Sequence, residues 1–256
     1  MQKVLARAGF GSRRACEAII AAGRVRNGDD IVILGDRVDP FHERLSVDGV
    51  PVATRPGLVY YLLHKPIGVV TTASDPQGRA TVIQLVPDEP RVFPVGRLDR
   101  DTEGLLILTN DGDLAQLLMH PRHGVEKTYL AEVTGAVTPA VLRSLREGIE
   151  LDDGPTAPAR ATVKQEHDGR SALELTIHEG RKRQVRRMCK AMGLRVDRLV
   201  RTRIGPLGDV RLAAGTWRLL EPGEVRALYE AAHPGPETHP DEQRNGETDG
   251  DPRAPH

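Results

Sequence analysis

A short apolar run, Leu105 to Leu108, stands in the middle of the segment PVGRLDRDTEGLLILTNDGD, which covers residues 94–113. A run of this kind, beginning directly after a glycine, predicts a buried strand, which we place over residues 104–109. Five carboxylate residues flank the run: Asp99, Asp101, Glu103, Asp111 and Asp113. Two interpretations compete. One is a calcium-binding loop, and the other is a single catalytic aspartate at the mouth of the strand, with the other acids in turns and caps.

The spacing of these acids matches the loop of an EF-hand only in part. Counted from Asp99, acids fall at the third and fifth positions of that loop and a glycine at the sixth. The twelfth position is Asn110, which cannot supply the bidentate carboxylate on which calcium binding depends. The preceding residues, FPVGRL, contain a proline and a glycine, so we expect no helix leading into the loop. We therefore favour the catalytic interpretation over the calcium loop. The sequence also contains no glycine-rich phosphate loop and no dinucleotide fingerprint.

Asp99 fits a turn or cap role less well than Asp101 and Asp111 do. It lies between two arginines and is closely followed by the apolar run. A carboxylate at the rim of a core needs a cationic partner, because its charged form is otherwise expensive to bury. We therefore expect an arginine from another part of the chain to face it.

A dense basic cluster supplies candidates for that arginine. Residues 181–203 contain one acid, Asp197, and ten bases: Arg181, Lys182, Arg183, Arg186, Arg187, Lys190, Arg195, Arg198, Arg201 and Arg203. Arg186 lies next to the apolar stripe of a predicted helix and is expected to point inward, where it would keep a buried aspartate ionised and fixed. Lys182, Arg183 and Lys190 can face solvent.

The formal net charge of +0 hides an uneven distribution of charge. Residues 233–256 carry six acids, two bases and five prolines, so we predict a disordered acidic tail. Residues 1–232 keep 34 Lys and Arg against 30 Asp and Glu, a net charge of +4. Cys16 and Cys189 form no C-x-x-C pair, which argues against a disulfide framework or a zinc site. Without a transmembrane-length apolar run or a signal-peptide core, we expect a soluble cytoplasmic protein that contacts no membrane.

Residues 1–51 are predicted to form a small unit of two helices and several short strands. Ser12 is placed to cap the second helix and Gly23 to end it. The polar face of the helical part carries six bases against the single acid Glu17; these bases are Lys3, Arg7, Arg13, Arg14, Arg24 and Arg26. Ordinary solvation explains such a face about as well as RNA binding does, but a second basic cluster in the same chain favours nucleic acid.

After a predicted linker at residues 52–57, residues 58–232 alternate strands and helices without a strict βαβ repeat. Strands are predicted at LVYYLLHK, GVVTT, residues 104–109, residues 127–133, ATVKQE, SALELTIH, RVDRLVRTRIG and GTWRLL. ATVKQE and SALELTIH are predicted to pair as a hairpin across Asp168-Gly169. Helices are predicted at residues 111–120, after Thr138 as the cap with Pro139 at the first position, across EGRKRQVRRMCKAMG and at GEVRALYEAA. This mixture indicates an α+β fold with a largely antiparallel sheet.

The segments GRLDRDTEGLLILTNDG, EKTYLAEV, EGRKRQVRRMCKAMG and RLVRTRIGPL together resemble the ribosomal pseudouridine synthase family. KPIGVVTT is similar to the first motif of that family, and QKVLARAGFGSRRACEAIIAAGRV resembles the alpha-L RNA-binding domain that precedes its catalytic domain. The resemblance spans about residues 1–225 and leaves out the tail. It implies an enzyme that isomerises uridine in ribosomal RNA to its C-glycoside, without cofactor or metal.

The resemblance also implies roles for individual residues. Asp99 matches the catalytic aspartate and Arg186 the arginine that pairs with it. Tyr129 matches a tyrosine lying against the target uracil, and Arg97 a residue that fills the gap left by the extruded uridine. Leu199 matches an apolar position lining the pocket. RNA contacts are expected from Lys3, Arg7, Arg13, Arg14, Arg24, Lys182 and Arg183.

The target base has to leave its stack, since its glycosidic bond is inaccessible in a helix. The arginine-rich helix and RLVRTRIGPL resemble the large-subunit branch of the family more than the small-subunit branch, so large-subunit RNA (23S) is the expected substrate and 16S RNA the alternative. A noncatalytic RNA-binding factor in ribosome assembly is a second alternative. It predicts loss of Asp99, Arg186 or Tyr129, and all three are present. A monomer is expected.

Overall fold

The protein is described by a computed structural model in which residues 1–39 and 43–233 are placed. The predicted disordered tail, residues 233–256, lies outside the described residues except for its first member. None of the helices in the described part of the chain is both long and apolar enough to cross a membrane.

The N-terminal unit consists of two helices packed on a small antiparallel sheet. Helices α1 (Gln2–Arg7) and α2 (Arg13–Ala21) precede strands β1 (Val25–Asn27), β2 (Asp30–Ile31), β3 (Leu45–Val47) and β4 (Val50–Pro51), in the order β2-β1-β3-β4. As predicted, Ser12 caps α2, its Oγ accepting a hydrogen bond from the amide of Ala15 at 3.2 Å. Leu5, Cys16 and Val25 are fully buried in a core that belongs to this unit.

The remainder forms one nine-stranded mixed sheet with helices against it. Its strands are β5 (Tyr60–Lys65), β6 (Phe93–Pro94), β7 (Glu103–Thr109), β8 (Lys127–Thr134), β11 (Arg160–His167), β12 (Arg170–Ile177), β13 (Arg195–Ile204), β14 (Leu207–Gly208) and β15 (Trp217–Leu219). Strands β9 (Glu150–Leu151) and β10 (Gly154–Pro155) form a separate ribbon. The helices are α3 (Gly112–Met119), α4 (Pro139–Glu147), α5 (Gln184–Ala191) and α6 (Pro222–Ala232).

The order along the sheet is β11-β12-β8-β13-β7-β5-β15, with β14 beside β13 and β6 beside β7. Among the pairings of the described strands, β13 with β7 is parallel and the others are antiparallel. The predicted α+β class with a largely antiparallel sheet is therefore confirmed.

The apolar run of the sequence is the central strand β7, and both of its faces are covered. Leu105 and Ile107 belong to one core cluster, which α3 and α6 close, whereas Leu106 and Leu108 belong to another on the opposite face. Because successive side chains of a strand point to opposite faces, a strand covered on both sides is apolar at every position.

Two predicted elements differ from the structure. GVVTT contributes only an isolated bridge between Val70 and Thr81, because the backbone of Val70 bonds with the loop at Ala80 and Val82 instead of with a sheet strand. The arginine-rich helix begins at Gln184 and not at the start of EGRKRQ, since Arg183 adopts a left-handed conformation with φ of 51°.

Helix α6 contacts the N-terminal unit through Arg226. The Nη1 atom of Arg226 donates to the carbonyl of Gly9 at 2.7 Å, and its guanidinium lies 5.3 Å from the ring centre of Phe10. The predicted linker begins with Val52, which is buried in the N-terminal core. The domain boundaries themselves remain a prediction.

Candidate active site

The turn that carries Asp99 is held by the segment that resembles the first motif. The hydroxyl of Thr71 donates to the carbonyl of Leu98 at 2.8 Å and accepts from the Leu98 amide at 3.3 Å. The amide of Gly68 donates to the carbonyl of Arg100 at 2.8 Å. Leu98 is buried, while the Asp99 side chain remains 37% exposed. The main chain on both sides of Asp99 is therefore fixed, and its carboxylate stays accessible.

Asp99 lines a cleft of about 500 Å³ together with three of the four residues predicted to bind the substrate. Tyr129 comes from β8, Leu199 from β13, and Arg97 from the same turn as Asp99. The segment before α5 completes the wall, and its predicted RNA-binding members there are Lys182 and Arg183. Residues distant in sequence thus meet at one opening beside the end of β7.

The structure pairs Arg186 with Asp101, which differs from the prediction. Its Nη2 donates to the carbonyl of Asp101 at 2.6 Å and its Nε lies 3.3 Å from the Asp101 carboxylate, while Nη1 donates to the carbonyl of Val196 at 3.2 Å. Its side chain is only 14% exposed, so it points inward as expected. The predicted pairing with Asp99 is wrong for this structure, because Asp101 occupies the guanidinium and Asp99 faces the cleft.

The cation closest to Asp99 among the described ion pairs is Arg183, with Nη1 4.0 Å from Oδ2. Arg183 also makes a two-pronged contact with the Asp101 carboxylate, at 2.8 and 2.7 Å. These hydrogen bonds hold the pKa of Asp101 below its usual value. Asp101 is therefore more than the turn residue that the sequence suggested, since it joins the Asp99 turn to α5.

A buried lysine that the sequence analysis did not single out supports the same turn from below. Lys65 is fully buried, and its ammonium donates to the carbonyls of Thr102 at 2.6 Å and Pro66 at 3.0 Å. Burial lowers the pKa of Lys65 to about 8. Its position at the end of an apolar strand, directly before Pro66, was the available signal.

The basic residues predicted for the N-terminal unit lie apart from the cleft. Lys3, Arg13 and Arg14 are exposed, and within the described residues they have no ion-pair partner. Arg24 is engaged by Asp48, which raises the pKa of this arginine. Arg7 borders a small cavity between the N-terminal unit and α6.

Asp111 has the capping role that the sequence suggested. Its carboxylate accepts from the amides of Asp113 and Leu114, both at 3.1 Å, at the start of α3. In residues 1–39 and 43–233, no group of His, Cys, Asp or Glu is arranged to hold a metal ion. Of the acids around β7, Asp111 caps α3, Asp101 pairs with two arginines and Asp99 lines the cleft.

The cleft and the mixed sheet that forms it define the class of protein once the chain is compared with known families. Residues 59–191, about half of the chain, match the family model described as RNA pseudouridylate synthase. The chain belongs to this family and is an RNA pseudouridine synthase, an enzyme that isomerises uridine in RNA.

Individual relatives cover nearly the whole chain. Ribosomal large subunit pseudouridine synthase B of Bacillus subtilis is 44% identical over 239 residues, covering 92% of this chain and 97% of the relative. An uncharacterised RNA pseudouridine synthase of Mycobacterium tuberculosis is 47% identical over 236 residues, covering 90% and 93%. A crystal structure of a pseudouridylate synthase superimposes with a TM-score of 0.62 at 30% identity, covering 89% of this chain and 98% of that one.

Proposed function

We propose that this enzyme converts a uridine of large-subunit ribosomal RNA into pseudouridine, with Asp99 as the catalytic carboxylate. The observation that carries the proposal is the cleft of about 500 Å³ in which Asp99, Tyr129 and Leu199 meet from three different elements. An accessible carboxylate on a fixed turn beside an aromatic ring and an apolar side chain suits a flipped-out pyrimidine nucleoside.

The reaction breaks the bond between N1 of uracil and C1′ of ribose and forms a bond between C5 and C1′. The proton on C5 is lost and N1 gains one, so the atoms of the nucleotide are conserved. Asp99 assists either by attacking the ribose or the base, or by taking a proton from the ribose as the base departs. Both routes use the charged carboxylate, and Nη1 of Arg183 lies 4.0 Å from it.

Tyr129 and Leu199 form the pocket for the base in this proposal. Tyr129 lies against the uracil ring and assists removal of the C5 proton, while buried Leu199 gives the ring an apolar contact. Arg97, exposed at the rim of the cleft, fills the space that the uridine vacates in its helix. Extruding the base costs a few kcal/mol, which contacts with the RNA backbone offset.

Arg186 acts through the turn and not on the Asp99 carboxylate. By binding the carbonyl and the carboxylate of Asp101, it fixes the main chain two residues after the catalytic position. A positioning role of this kind is consistent with a guanidinium that is largely buried and whose two terminal nitrogens donate to main-chain carbonyls.

Ribosomal RNA as substrate is supported by the relatives named ribosomal large subunit pseudouridine synthase B, which are 41–44% identical over most of this chain. The same names favour large-subunit RNA over small-subunit RNA. The N-terminal unit is proposed as an alpha-L RNA-binding domain, since its first helices leave Lys3, Arg13 and Arg14 exposed for contact with phosphates.

The test is release of tritium from ribosomal RNA labelled at C5 of uridine. Wild-type enzyme should release tritium, and Asp99→Asn should abolish release while RNA affinity stays nearly unchanged. Asp113→Asn is the matched control, because this exposed acid flanks the same apolar run but lies outside the cleft. Full activity of Asp99→Asn would contradict the assignment. Mapping pseudouridines in 23S and 16S RNA from cells lacking the gene would identify the substrate RNA.

A further inference from the structure

A second cavity of about 530 Å³ adjoins the catalytic cleft. The two share Arg97, Tyr129 and Gly180 in their walls, so Tyr129 stands between them. Pro94, Ile107 and Met119 make part of the second cavity apolar. Its charged lining includes two cations, Lys127 and Arg201, to which the uridine-isomerising step assigns no role.

The sheet places both cations on the face that carries the catalytic pocket. Lys127 and Tyr129 are two residues apart on β8, so their side chains leave the same face of the strand. Arg201 is the partner of Tyr129 on β13, and Leu199 lies two residues before it on that strand. Leu199, Tyr129, Arg201 and Lys127 therefore lie side by side on one face of the sheet.

Neither cation has a carboxylate partner within the part of the chain that the structure describes. The Nε of Arg201 donates to the carbonyl of Leu105 at 2.7 Å, and its Nη2 is buried without a hydrogen-bond partner. Arg201 is only 4% exposed. Burial and the charge of Arg201 lower the pKa of Lys127 to about 8.

Glu179, the carboxylate in the wall of this cavity, is already engaged elsewhere. It accepts from the amide of Ala157 at 3.2 Å and from the Gln184 side chain, and lies 3.4 Å from Nε of Arg181. Two adjacent cations without a counter-ion are costly in a partly desolvated place. Such a cost is explained most simply by an anion that arrives with the ligand.

We propose that the second cavity holds a phosphate of the substrate RNA next to the target uridine, with Lys127 in contact and Arg201 supplying positive potential behind it. The proposal rests on the proposed function, because this cavity adjoins the cleft assigned to the flipped uridine and shares Tyr129 with it. Phosphodiesters are the anions of an RNA strand, and charge-assisted hydrogen bonds to them are strong. Lys127 is then a positioning residue that affects RNA binding more than the chemical step.

The first test measures how the dissociation constant depends on salt for a short stem–loop oligoribonucleotide with one uridine in its loop. Losing one phosphate contact lowers the slope of log affinity against log salt by about 0.7 for a single strand. Lys127→Met should show this decrease and bind the oligonucleotide on the order of tenfold more weakly at low salt. Lys127→Arg should retain the slope. The matched control is Lys164→Met. Lys164 lies on the edge strand β11 and pairs with Glu174 of the neighbouring strand β12.

The second test replaces single phosphates beside the uridine by neutral methylphosphonates. Replacement at one particular linkage should weaken binding to the wild type but leave binding to Lys127→Met unchanged. That linkage identifies the phosphate that Lys127 contacts. In turnover, Lys127→Met should raise KM with little change in kcat. An unchanged salt slope, or losses that add independently at every linkage, would overturn the proposal.

These binding measurements are independent of catalysis. If the wild type bound the stem–loop with the predicted Lys127 dependence but formed no pseudouridine in any ribosomal RNA, the proposed substrate would fail and the anion site would stand. Lys127→Met should fold, because it removes an unpaired desolvated cation. Lys127→Gln provides a second neutral variant, and circular dichroism confirms the fold of both.

Discussion

The Nη2 of Arg186 donates a hydrogen bond to the main-chain carbonyl of Asp101 at 2.6 Å, while the Asp99 carboxylate faces the cleft. The same arginine also reaches the carbonyl of Val196 on β13 at 3.2 Å. One side chain of α5 therefore connects the catalytic turn to the strand that carries Leu199. Arg183 adds the neighbouring contact, pairing with Asp101 and approaching Asp99.

Arg186→Ala should lose both stability and activity, because it leaves the carbonyls of Asp101 and Val196 without their donor. We expect the free energy of unfolding to fall by about 1–3 kcal/mol, measured by urea denaturation. The turnover number should fall more than the affinity for RNA. Arg143→Ala, at an exposed position of α4, is the control and should change stability by less than about 0.5 kcal/mol. Wild-type turnover in Arg186→Ala would show that the turn needs no such support.

Gly104 on β7 lies directly against the backbone of Arg201 on β13, its partner in the parallel pair. Its φ is +110°, and a Cβ there would overlap the backbone carbonyl and amide of Arg201. Gly104→Ala should therefore separate the parallel pair and reduce activity by at least tenfold, with a loss of stability of about 2–4 kcal/mol. Thermal unfolding and tritium release measure the two effects.

Gly112→Ala is the matched control for that substitution. Gly112 is the first residue of α3, has no positive φ, and has open space around the added methyl group. Alanine favours a helix over glycine by up to about 1 kcal/mol, so this variant should be neutral or slightly more stable. Equal losses in the two variants would argue against a special close contact at Gly104.

The buried carboxylate of Asp111 joins α3, β5 and α6. Asp111 accepts hydrogen bonds from the hydroxyls of Tyr60 and Tyr229, each at 2.7 Å, in addition to capping α3. Burial and this carboxylate raise the pKa of both tyrosines. Tyr229→Phe should reduce the free energy of unfolding by about 1.5–3 kcal/mol, as expected for a hydrogen bond to a charged group.

Tyr60→Phe should produce a similar loss, and the double variant should lose more than the two single losses combined. Once both hydroxyls are gone, the buried Asp111 keeps only its capping bonds and becomes expensive to hold charged. Denaturant unfolding of the two single variants and the double variant gives the coupling energy. Strict additivity would mean that water replaces the lost hydroxyls.

The lowered pKa of Lys127 predicts that its contribution to the free energy of unfolding rises with pH. Its pKa is lowered to about 8 in the folded protein, against about 10.4 for an ordinary lysine. Between these values the unfolded chain binds more protons, so the contribution of this group to stability rises with pH. Below pH 8 both states are protonated and the penalty is constant.

Lys127→Met removes that penalty. The variant should be more stable than the wild type at pH 7, by about 1–2 kcal/mol after allowance for partial exposure, and the advantage should shrink as pH rises to 10. Urea unfolding of both proteins at pH 7, 8.5 and 10 provides the comparison. A difference in stability independent of pH would show that the Lys127 ammonium is not desolvated in the folded state.

Features encoded by neighbouring residues could be predicted from the sequence, as three positions show. Ser12 and Thr138 cap their helices as expected, and the hairpin turns at Asp168-Gly169. These depend on hydrogen bonds or backbone angles within a few residues. The strand Gly104–Thr109 was equally readable, since both of its faces are buried.

Features that depend on distant partners were misjudged or missed. GVVTT has the composition of a strand, but its backbone bonds with the loop at residues 80–82, which no local pattern indicates. The prediction that Arg186 points inward is confirmed, but the aspartate that it binds is decided by the turn at residues 99–102. The burial of Arg201 follows from the pairing of β13 with both β7 and β8, which the sequence does not display.

The contact between Gly9 and α6 predicts that the N-terminal unit is held in a fixed place beside the catalytic sheet. With φ of +88°, Gly9 leaves room for no Cβ, because the added atom would lie 2.9 Å from the amide nitrogen of Gly223 and the carbonyl carbon of Pro222. Gly9→Ala should displace the unit and break the hydrogen bond from Arg226 to the Gly9 carbonyl. The α1–α2 unit should then become more sensitive to limited proteolysis, and affinity for ribosomal RNA should fall several-fold.

Gly28→Ala separates this docking effect from simple backbone strain. Gly28 also has a positive φ, +60°, but nothing lies within 4 Å of an added Cβ. Both variants carry the conformational cost, whereas only Gly9→Ala loses the contact with α6. If the two variants showed the same protease sensitivity and the same RNA affinity, α6 would not hold the N-terminal unit. Restored protection in a Gly9→Ala variant by added RNA would instead indicate that the substrate binds both units together.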